Sequence, residues 1–431
     1  MRIDTLTIQN FKKFENVTVE LHPQFNLFIG ENGSGKTSVL DALAVALGIW
    51  LIKLPDSALQ NSKRNILPGE VRIEPSKRGD RIQFIERKPV VIRAVGKLGY
   101  QENVKWTRYI EEFTTSTNSK KAMDAIRIIA DLYHRANNGE DLVLPVIAYY
   151  GAGRAWLSSS ESAKEGVSKS NGPARRWSAF QDCLKERIRV SDIQRWFQNE
   201  TVTAVRKKRP GFEIVKHAIL NCIPDADGIE FDTDRDQIVL SIAGKPQLYG
   251  NLSSGQKVML ALSADIAIKS VTQNAHLIPT DSLDFDELPA VLSHTPGVVL
   301  IDEIDVHLHP RWQRRVVADL KRTFPSIQFM CTSHSAQIIG ETNPEEIRIL
   351  EDFSTPGQSF GMDSNWILEV LMGADAQDAD IKKQLDAIFK LIHEKELDKA
   401  EAAVISLKNQ VGNSERLQRA SSTLGRLRRV G

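Results

Sequence analysis

The sequence predicts an α/β fold in which a mixed sheet surrounds a loop-and-helix core, with an antiparallel β subdomain, a helical insertion and a helical C-terminal region. Three observations support this prediction. Residues 25–29 are apolar and run into a glycine-rich loop and then a helical pattern. Residues 298–301 and 327–330 are largely apolar, as central parallel strands usually are, and a helix that begins at Pro310 separates them. Alternating apolar and polar residues within 55–110 favour antiparallel strands.

The other segments follow the same periodicities. Strands are predicted at 2–9, 17–21 and 143–150, with a hairpin at 229–242. Helices are predicted at 120–137, 177–206, 212–222, 254–269, 310–323, 381–393 and 396–409, and a Ser- and Lys-rich loop at 158–171. We therefore expect a first domain over 1–350 and a helical region over 363–431. The first domain would contain the β subdomain (55–110), a helical region (155–225) and a surface insertion (273–296).

Composition narrows the class of protein. The 431 residues have a net charge of +1, so no overall basic field points to nucleic acid. Three widely spaced cysteines suggest neither a disulfide framework nor a zinc site, which fits a reducing cytosol. The first residues lack a signal-peptide pattern, and no apolar run reaches the ~20 residues that span a bilayer. We therefore expect a cytoplasmic protein without a membrane segment.

The glycine-rich loop has the pattern G-x-x-x-x-G-K-[ST], whose backbone N–H groups and following helix N-terminus bind phosphates. The candidate nucleotide-binding residues here are Gly30, Glu31, Asn32, Gly33, Ser34, Gly35, Lys36, Thr37 and Ser38. We expect Lys36 to reach the β- and γ-phosphates and the Thr37 hydroxyl to bind Mg²⁺. The predicted strand before the loop and helix after it make a chance match improbable.

A second group of candidates follows the two later apolar strands. Asp302 and Glu303 end the first one, where Asp302 would hold Mg²⁺ and Glu303 would polarise the attacking water. His334 follows the second strand, where a ring nitrogen could donate to the γ-phosphate; the alternative is a loop histidine that caps a helix. Asp305 would sit at a dimer seam.

A third string, Leu252 to Lys257, precedes a predicted helix. Its candidate nucleotide-binding residues are Ser253, Ser254, Gly255 and Gln256. A helix N-terminus binds anions, although a serine here can equally be a plain N-cap. The string resembles the signature motif of ABC-type ATPases, in which it contacts the γ-phosphate held by a facing protomer.

The order of these strings, together with residues 301–310 and 332–335, resembles the RecF/OLD-type branch of ABC ATPases. The chain is most similar to the ATPase subunits of the Septu antiphage family, which also occur beside retrons. No sustained heptad pattern lies between the phosphate loop and the signature string, so the long coiled-coil arms of related repair ATPases are missing. A glutamine lid is not evident after Tyr149–Tyr150, where Gly151 to Arg154 stand instead.

The resemblance implies ATP and Mg²⁺ bound between copies in a homodimer or higher oligomer. It also implies a regulatory role, in which ATP controls assembly with a partner HNH-type nuclease, and the rate of hydrolysis stays open. Region 363–431 lies outside the ATPase core and is the predicted docking element. Nuclease association that survived its deletion would contradict that placement.

Other readings stay open. A RecF-type DNA-repair ATPase would clamp duplex DNA when ATP is bound, and the basic run 206–209 offers a nucleic-acid contact, although surface cations are usually just solvated. A transporter ATPase is disfavoured by the missing membrane segment and lid. His307 and His309 do not share a helical face, which argues against a metal pair.

Overall fold

The computed structural model describes residues 1–56, 63–79, 81–155, 176–280, 285–374, 379–412 and 415–430. These residues divide into two compact units, Met1–Met362 and Asp363–Gly431. The loop predicted at 158–171 lies outside the described residues.

The strands are β1 Arg2–Phe11, β2 Phe14–Glu20, β3 Phe25–Ile29, β4 Ile73–Arg78, β5 Arg81–Glu86, β6 Val90–Leu98, β7 Gln101–Ile110, β8 Val146–Tyr150, β9 Ala226–Asp232, β10 Gln237–Ile242, β11 Lys245–Leu248, β12 Gly297–Ile301, β13 Ile327–Thr332 and β14 Ile347–Ile349. The α-helices are α1 Lys36–Leu47, α2 Met123–Asn137, α3 Val190–Ala204, α4 Pro210–Cys222, α5 Ser254–Gln273, α6 Ala290–Ser293, α7 Pro310–Thr323, α8 Ala336–Gly340, α9 Ser364–Trp366, α10 Ala379–His393, α11 Leu397–Val411 and α12 Glu415–Val430.

A five-stranded parallel sheet in the order β14-β3-β13-β12-β8 forms the centre of the first unit. Every residue of β3, β8, β12 and β13 is buried, as expected for strands covered on both faces. The predicted α/β fold is therefore confirmed, with its parallel and antiparallel strands in separate sheets. Because parallel strands point the same way, the residues after β3, β12 and β13 meet at one edge of the sheet.

The antiparallel sheet differs from the prediction. Strands β2, β1, β6 and β7 form one four-stranded sheet, whose apolar face packs on α1 and contributes to the largest core. The hairpin of β4 and β5 forms a separate two-stranded ribbon. The bounds predicted for the β subdomain, 55–110, are therefore too narrow. The N-terminal strands β1 and β2 belong to the same sheet, because β6 pairs with β1 along most of its length.

The helical and inserted regions also need correction. The helix predicted over 177–206 begins only at Val190, and a short 3₁₀ turn precedes it at Arg176–Phe180. The region 273–296 is not all surface, because Val291, Leu292 and Thr295 are buried. Its first residues are also held inside: the Asn274 side chain exchanges hydrogen bonds of 2.8 and 3.0 Å with the backbone of Leu144.

The second unit contains three packed helices, α10, α11 and α12, rather than the predicted pair alone. Their shared core consists of Leu385, Ile388, Ile392, Ala400, Val404, Leu407, Leu417, Ala420 and Leu424. Across the described residues of both units, no helix combines the length and apolar character that a membrane crossing needs.

Candidate nucleotide site

The phosphate loop, residues 30–37, connects β3 to α1. Gly35 precedes α1 with φ +104°, a conformation that favours glycine. A Cβ on Gly35 would lie 2.7 Å from Lys13 Cδ and from Phe14 Cζ, so a larger residue would also clash with the turn between β1 and β2. Backbone geometry and packing therefore both require glycine here, as the sequence pattern predicted.

Two polar groups in this loop fit a phosphate ligand. The Lys36 ammonium donates to the carbonyl oxygens of Gly30 and Glu31, both at 2.9 Å. Burial lowers the pKa of Lys36, and the nearby carboxylates, Asp302 first among them, oppose that shift. The Ser34 hydroxyl is buried and makes no hydrogen bond within the described part of the chain. A phosphate group in the loop would give both of them an anionic partner.

The acidic loop, residues 302–309, follows β12 and meets the phosphate loop directly. Thr37 Oγ1 donates to Asp302 Oδ2 at 2.8 Å, although 265 residues separate the two in sequence. Asp302 is only 5% exposed. A hydroxyl and a carboxylate oxygen are ligands that suit Mg²⁺, so the donor set fits the predicted cation.

The switch loop, residues 333–335, follows β13 and holds the acidic loop from the other side. Asp305 Oδ1 accepts hydrogen bonds from Ser333 Oγ at 2.7 Å and from His334 N at 3.3 Å. Glu303 has φ +48°, a left-handed conformation that is rare outside glycine. The structure therefore brings Asp302, Glu303, Asp305 and His334 to one edge of the sheet.

The signature segment, residues 253–256, forms the N-terminus of α5. Ser253 and Gln256 form a reciprocal capping box, with N–H···O distances of 2.8 and 3.3 Å. Ser253 and Ser254 are exposed, whereas Gly255 is buried: a Cβ there would lie 2.6 Å from the carbonyl oxygen of His307. Among the residues described by the structure, no hydrogen bond joins this segment to the phosphate loop.

The structure adds residues that the sequence analysis did not identify. Lys13 Nζ donates to the carbonyl oxygen of Gly33 at 3.1 Å. Its neighbour Lys12 forms an ion pair with the buried Asp41 on α1, and Arg64 pairs with the same carboxylate at 3.3 Å. Two adjacent lysines between two predicted strands were the available signal, but nothing local indicated Asp41 as the partner.

The residues at the predicted lid position contact a further carboxylate. Gly151 N donates to the backbone oxygen of Glu186 at 2.8 Å, and the Glu186 side chain lies against Gly151. Desolvation and then the negative charges of Asp41 and Asp302 raise the pKa of Glu186, whose side chain solvent still reaches. The negative charge of Asp302 in the acidic loop therefore contributes to the raised pKa of a carboxylate close to the lid position.

Comparison with protein families gives two matches that together contain all of these motifs. A model described as "AAA domain" matches residues 5–214, which include the phosphate loop. A second model, described as "AAA domain, putative AbiEii toxin, Type IV TA system", matches residues 233–340, which include the signature segment, acidic loop and switch loop.

Similar proteins come from retrons and from Septu. "Retron Vc95 probable ATPase" of Vibrio cholerae serotype O1 biovar El Tor is 23% identical, over 82% of this chain and 74% of that protein. "Retron Ec83 probable ATPase" of Escherichia coli is 24% identical, over 86% and 76%. "Septu protein PtuA" of Bacillus mycoides (strain KBAB4) is 23% identical, over 77% of this chain but 38% of that protein.

Among solved structures, the SMC head domain from Thermotoga maritima matches 79% of this chain and 92% of that chain, with 14% identity and a TM-score of 0.39. The two family models and the similar sequences identify the domains of this chain. This chain therefore contains AAA/ABC-type ATPase domains and has retron ATPases and the Septu protein PtuA among its homologues.

Proposed function

We propose that this chain is the ATP-binding subunit of an antiphage defence complex, in which ATP and Mg²⁺ are held between two copies and regulate a partner HNH-type nuclease. The retron and Septu homologues support a role in defence. The resemblance noted from the sequence supports the nuclease partner, and the cytoplasm is the compartment we assign.

The main observation that supports an ATP and Mg²⁺ site is the 2.8 Å hydrogen bond between Thr37 and Asp302. It joins the phosphate loop to the acidic loop, so the residues that would hold Mg²⁺ are already adjacent. When bound, the cation would neutralise phosphate charge. Lys36 would bind the β- and γ-phosphates, Glu303 would orient the attacking water, and His334 would donate to the γ-phosphate.

The exposed N-terminus of α5 supports a site that is completed by a second copy. This helix has 20 residues, and Ser253 and Ser254 at its N-terminus are exposed. A helix N-terminus attracts anions through its dipole. We assign it to the nucleotide of a facing protomer, with Asp305 close to the seam.

The nuclease partner is assigned to the second unit, Asp363–Gly431. This unit has its own apolar core and is compact by itself, so it could present a docking surface without rearranging the ATPase unit. In this proposal, ATP binding changes the assembly of the copies and so restrains or licenses the partner.

Mixing two inactive variants tests the composite site. Lys36→Ala removes the phosphate-binding ammonium and should abolish ATP binding. Ser254→Glu places a carboxylate where the facing γ-phosphate would lie, and a glutamate in the first turn is compatible with the helix dipole. Each variant alone should hydrolyse no ATP. In an equimolar mixture, half of the dimers pair one chain of each kind and contain one intact site, so about a quarter of wild-type ATPase activity should return.

The control is Lys245→Ala, which removes an exposed lysine of β11 and should keep full ATPase activity. Full activity of Ser254→Glu alone, or a mixture that stays inactive, would reject a site shared between copies.

A DNA-repair clamp is the second candidate. Arg206, Lys207 and Lys208 are exposed, and no ion pair involves them within the described parts of the chain. Free cations of this kind suit a phosphate backbone. Duplex DNA binding by this chain alone, strengthened by ATP and weakened steeply by salt, would favour this candidate over the nuclease regulator.

A further inference from the structure

We propose that Thr332, the last residue of β13, is a positioning residue that fixes the directions of both carboxylates at the start of the acidic loop. The inference rests on the proposed function, because it concerns the same ATP site. Thr332 lies two residues before His334 and is not among the residues predicted to contact the nucleotide.

The Thr332 hydroxyl makes two short hydrogen bonds to the acidic loop. Its Oγ1 donates to Asp302 Oδ1 at 2.6 Å and accepts from the Glu303 backbone N–H at 2.7 Å. Thr332 is 0% exposed, so water does not compete for these bonds. A hydroxyl has one proton to donate, and here that proton is committed to Asp302.

Each oxygen of the Asp302 carboxylate accepts a hydrogen bond from a different donor. Oδ1 accepts from Thr332, and Oδ2 accepts from Thr37 Oγ1 at 2.8 Å. With one oxygen anchored by β13, the other is turned toward the phosphate loop, where the cation is proposed to bind. Thr332 thereby sets the rotation of the carboxylate without touching the nucleotide itself.

The same residue supports the unusual backbone of Glu303. The φ of +48° at Glu303 requires outside support because side chains rarely adopt it. Thr332 supplies that support twice, since its hydroxyl accepts from Glu303 N and its carbonyl oxygen accepts from Ile304 N at 2.9 Å. The direction of the Glu303 side chain, which is proposed to orient water, follows from this backbone conformation.

The register of the sheet explains why residue 332 can do this. Ile301 lies opposite Cys331 in the parallel pairing of β12 and β13. The next residues, Asp302 and Thr332, therefore lie side by side at the carboxyl ends of the two strands. A hydroxyl at this position meets the carboxylate at bonding distance, whereas a residue of the same shape without the hydroxyl would not.

Thr332→Val tests the proposal because valine keeps the shape and removes only the hydroxyl. Losing an outer partner of a metal ligand typically costs about 10- to 100-fold in metal affinity or activity. We expect the Mg²⁺ concentration that half-saturates ATP binding, measured by calorimetric titration, to rise about tenfold or more. ATP affinity without Mg²⁺ should stay within about twofold, because the phosphate loop is intact. Turnover should fall with the Mg²⁺ affinity.

Two further variants separate positioning from folding. Thr332→Ser returns the hydroxyl and should restore the Mg²⁺ dependence. Thr342→Val makes the same exchange at another fully buried threonine, whose hydroxyl donates to the Ile338 backbone instead, and should leave the Mg²⁺ dependence unchanged.

A Thr332→Val protein with wild-type Mg²⁺ dependence, or an equal shift in Thr342→Val, would overturn the proposal. A wild-type protein whose ATP binding ignores Mg²⁺ would instead overturn the proposed function, and this inference with it.

Discussion

The phosphate loop and the acidic loop are joined by hydrogen bonds within one chain, whereas the signature segment turns its serines to solvent. In the first half of the proposed site, Asp302 is held by Thr37 from helix α1 and by Thr332 from strand β13. In the second half, the bonds of Ser253 and Gln256 are internal to the helix turn. Gly255 of that segment packs closely against the backbone of His307 in the acidic loop.

In the proposed function, this difference determines where regulation acts. A half-site that is assembled by contacts within the chain can bind nucleotide in a single copy. A half-site that offers only an exposed helix N-terminus acts when a second copy brings a phosphate to it. In that proposal, the nucleotide site is completed only when two copies assemble, which is the behaviour expected of a regulatory subunit.

The largest expected effect is the loss of ATP hydrolysis in Glu303→Gln, which changes the half of the site that is assembled within one chain. The glutamine keeps the size of the side chain but cannot accept the proton of the attacking water, so hydrolysis should slow by about 10²–10⁴-fold. ATP binding should persist because Lys36 and Thr37 are unchanged. Single-turnover hydrolysis and an ATP-binding titration measure the two separately.

Glu345→Gln, an exposed glutamate outside the site, is the matched control and should hydrolyse ATP normally. Wild-type turnover in Glu303→Gln would show that another group orients the water.

A smaller effect is expected from Gly255→Ala, which tests the packing between the signature segment and the acidic loop. The added Cβ would sit 2.6 Å from the His307 carbonyl oxygen, so α5 or the acidic loop must shift. We expect a loss of about 1–3 kcal/mol in the free energy of unfolding, as in other overpacked sites. Thermal unfolding of the ATPase unit measures it.

Gly425→Ala is the contrasting substitution. A Cβ on Gly425, inside α12, meets nothing within 4 Å, so the helix of the second unit should gain about 0.5–1 kcal/mol from the lower entropy of its unfolded state. Equal effects from the two glycines would mean that the contact with His307 is unimportant.

The smallest effect concerns pH and Glu186. Its pKa in the folded protein is raised by desolvation and by Asp41 and Asp302, above the ordinary value of 4.5. The folded state therefore holds the proton more tightly, and stability is lost as pH rises from 4.5 through the raised pKa. Glu186→Gln should match wild type near pH 4 and exceed it at pH 8, by no more than ~0.5 kcal/mol because solvent reaches the side chain.

Urea midpoints at the two pH values measure this difference. A gain that is the same at both would show that the Glu186 charge is not involved.

The sequence predicted the elements whose patterns are local. The apolar runs that became β3, β12 and β13 lie where they were expected, and α7 begins at Pro310 and ends at Thr323 as predicted. The β subdomain was predicted less well, because the pairing of β6 with β1 joins segments about ninety residues apart. Buried residues at 291–295 were mistaken for surface, since an acidic, proline-containing stretch hides a short apolar helix.

What the sequence determined by itself is the set and order of the motifs: a phosphate loop, a signature segment, an acidic strand end and a histidine after the next strand. Each depends on neighbouring residues, so local chemistry suffices to recognise it. Only the tertiary structure decided which groups meet. The parallel register places Thr332 beside Asp302, and packing brings Lys12 and Arg64 to Asp41. Such contacts depend on long-range alignment of strands and helices, which no local periodicity specifies.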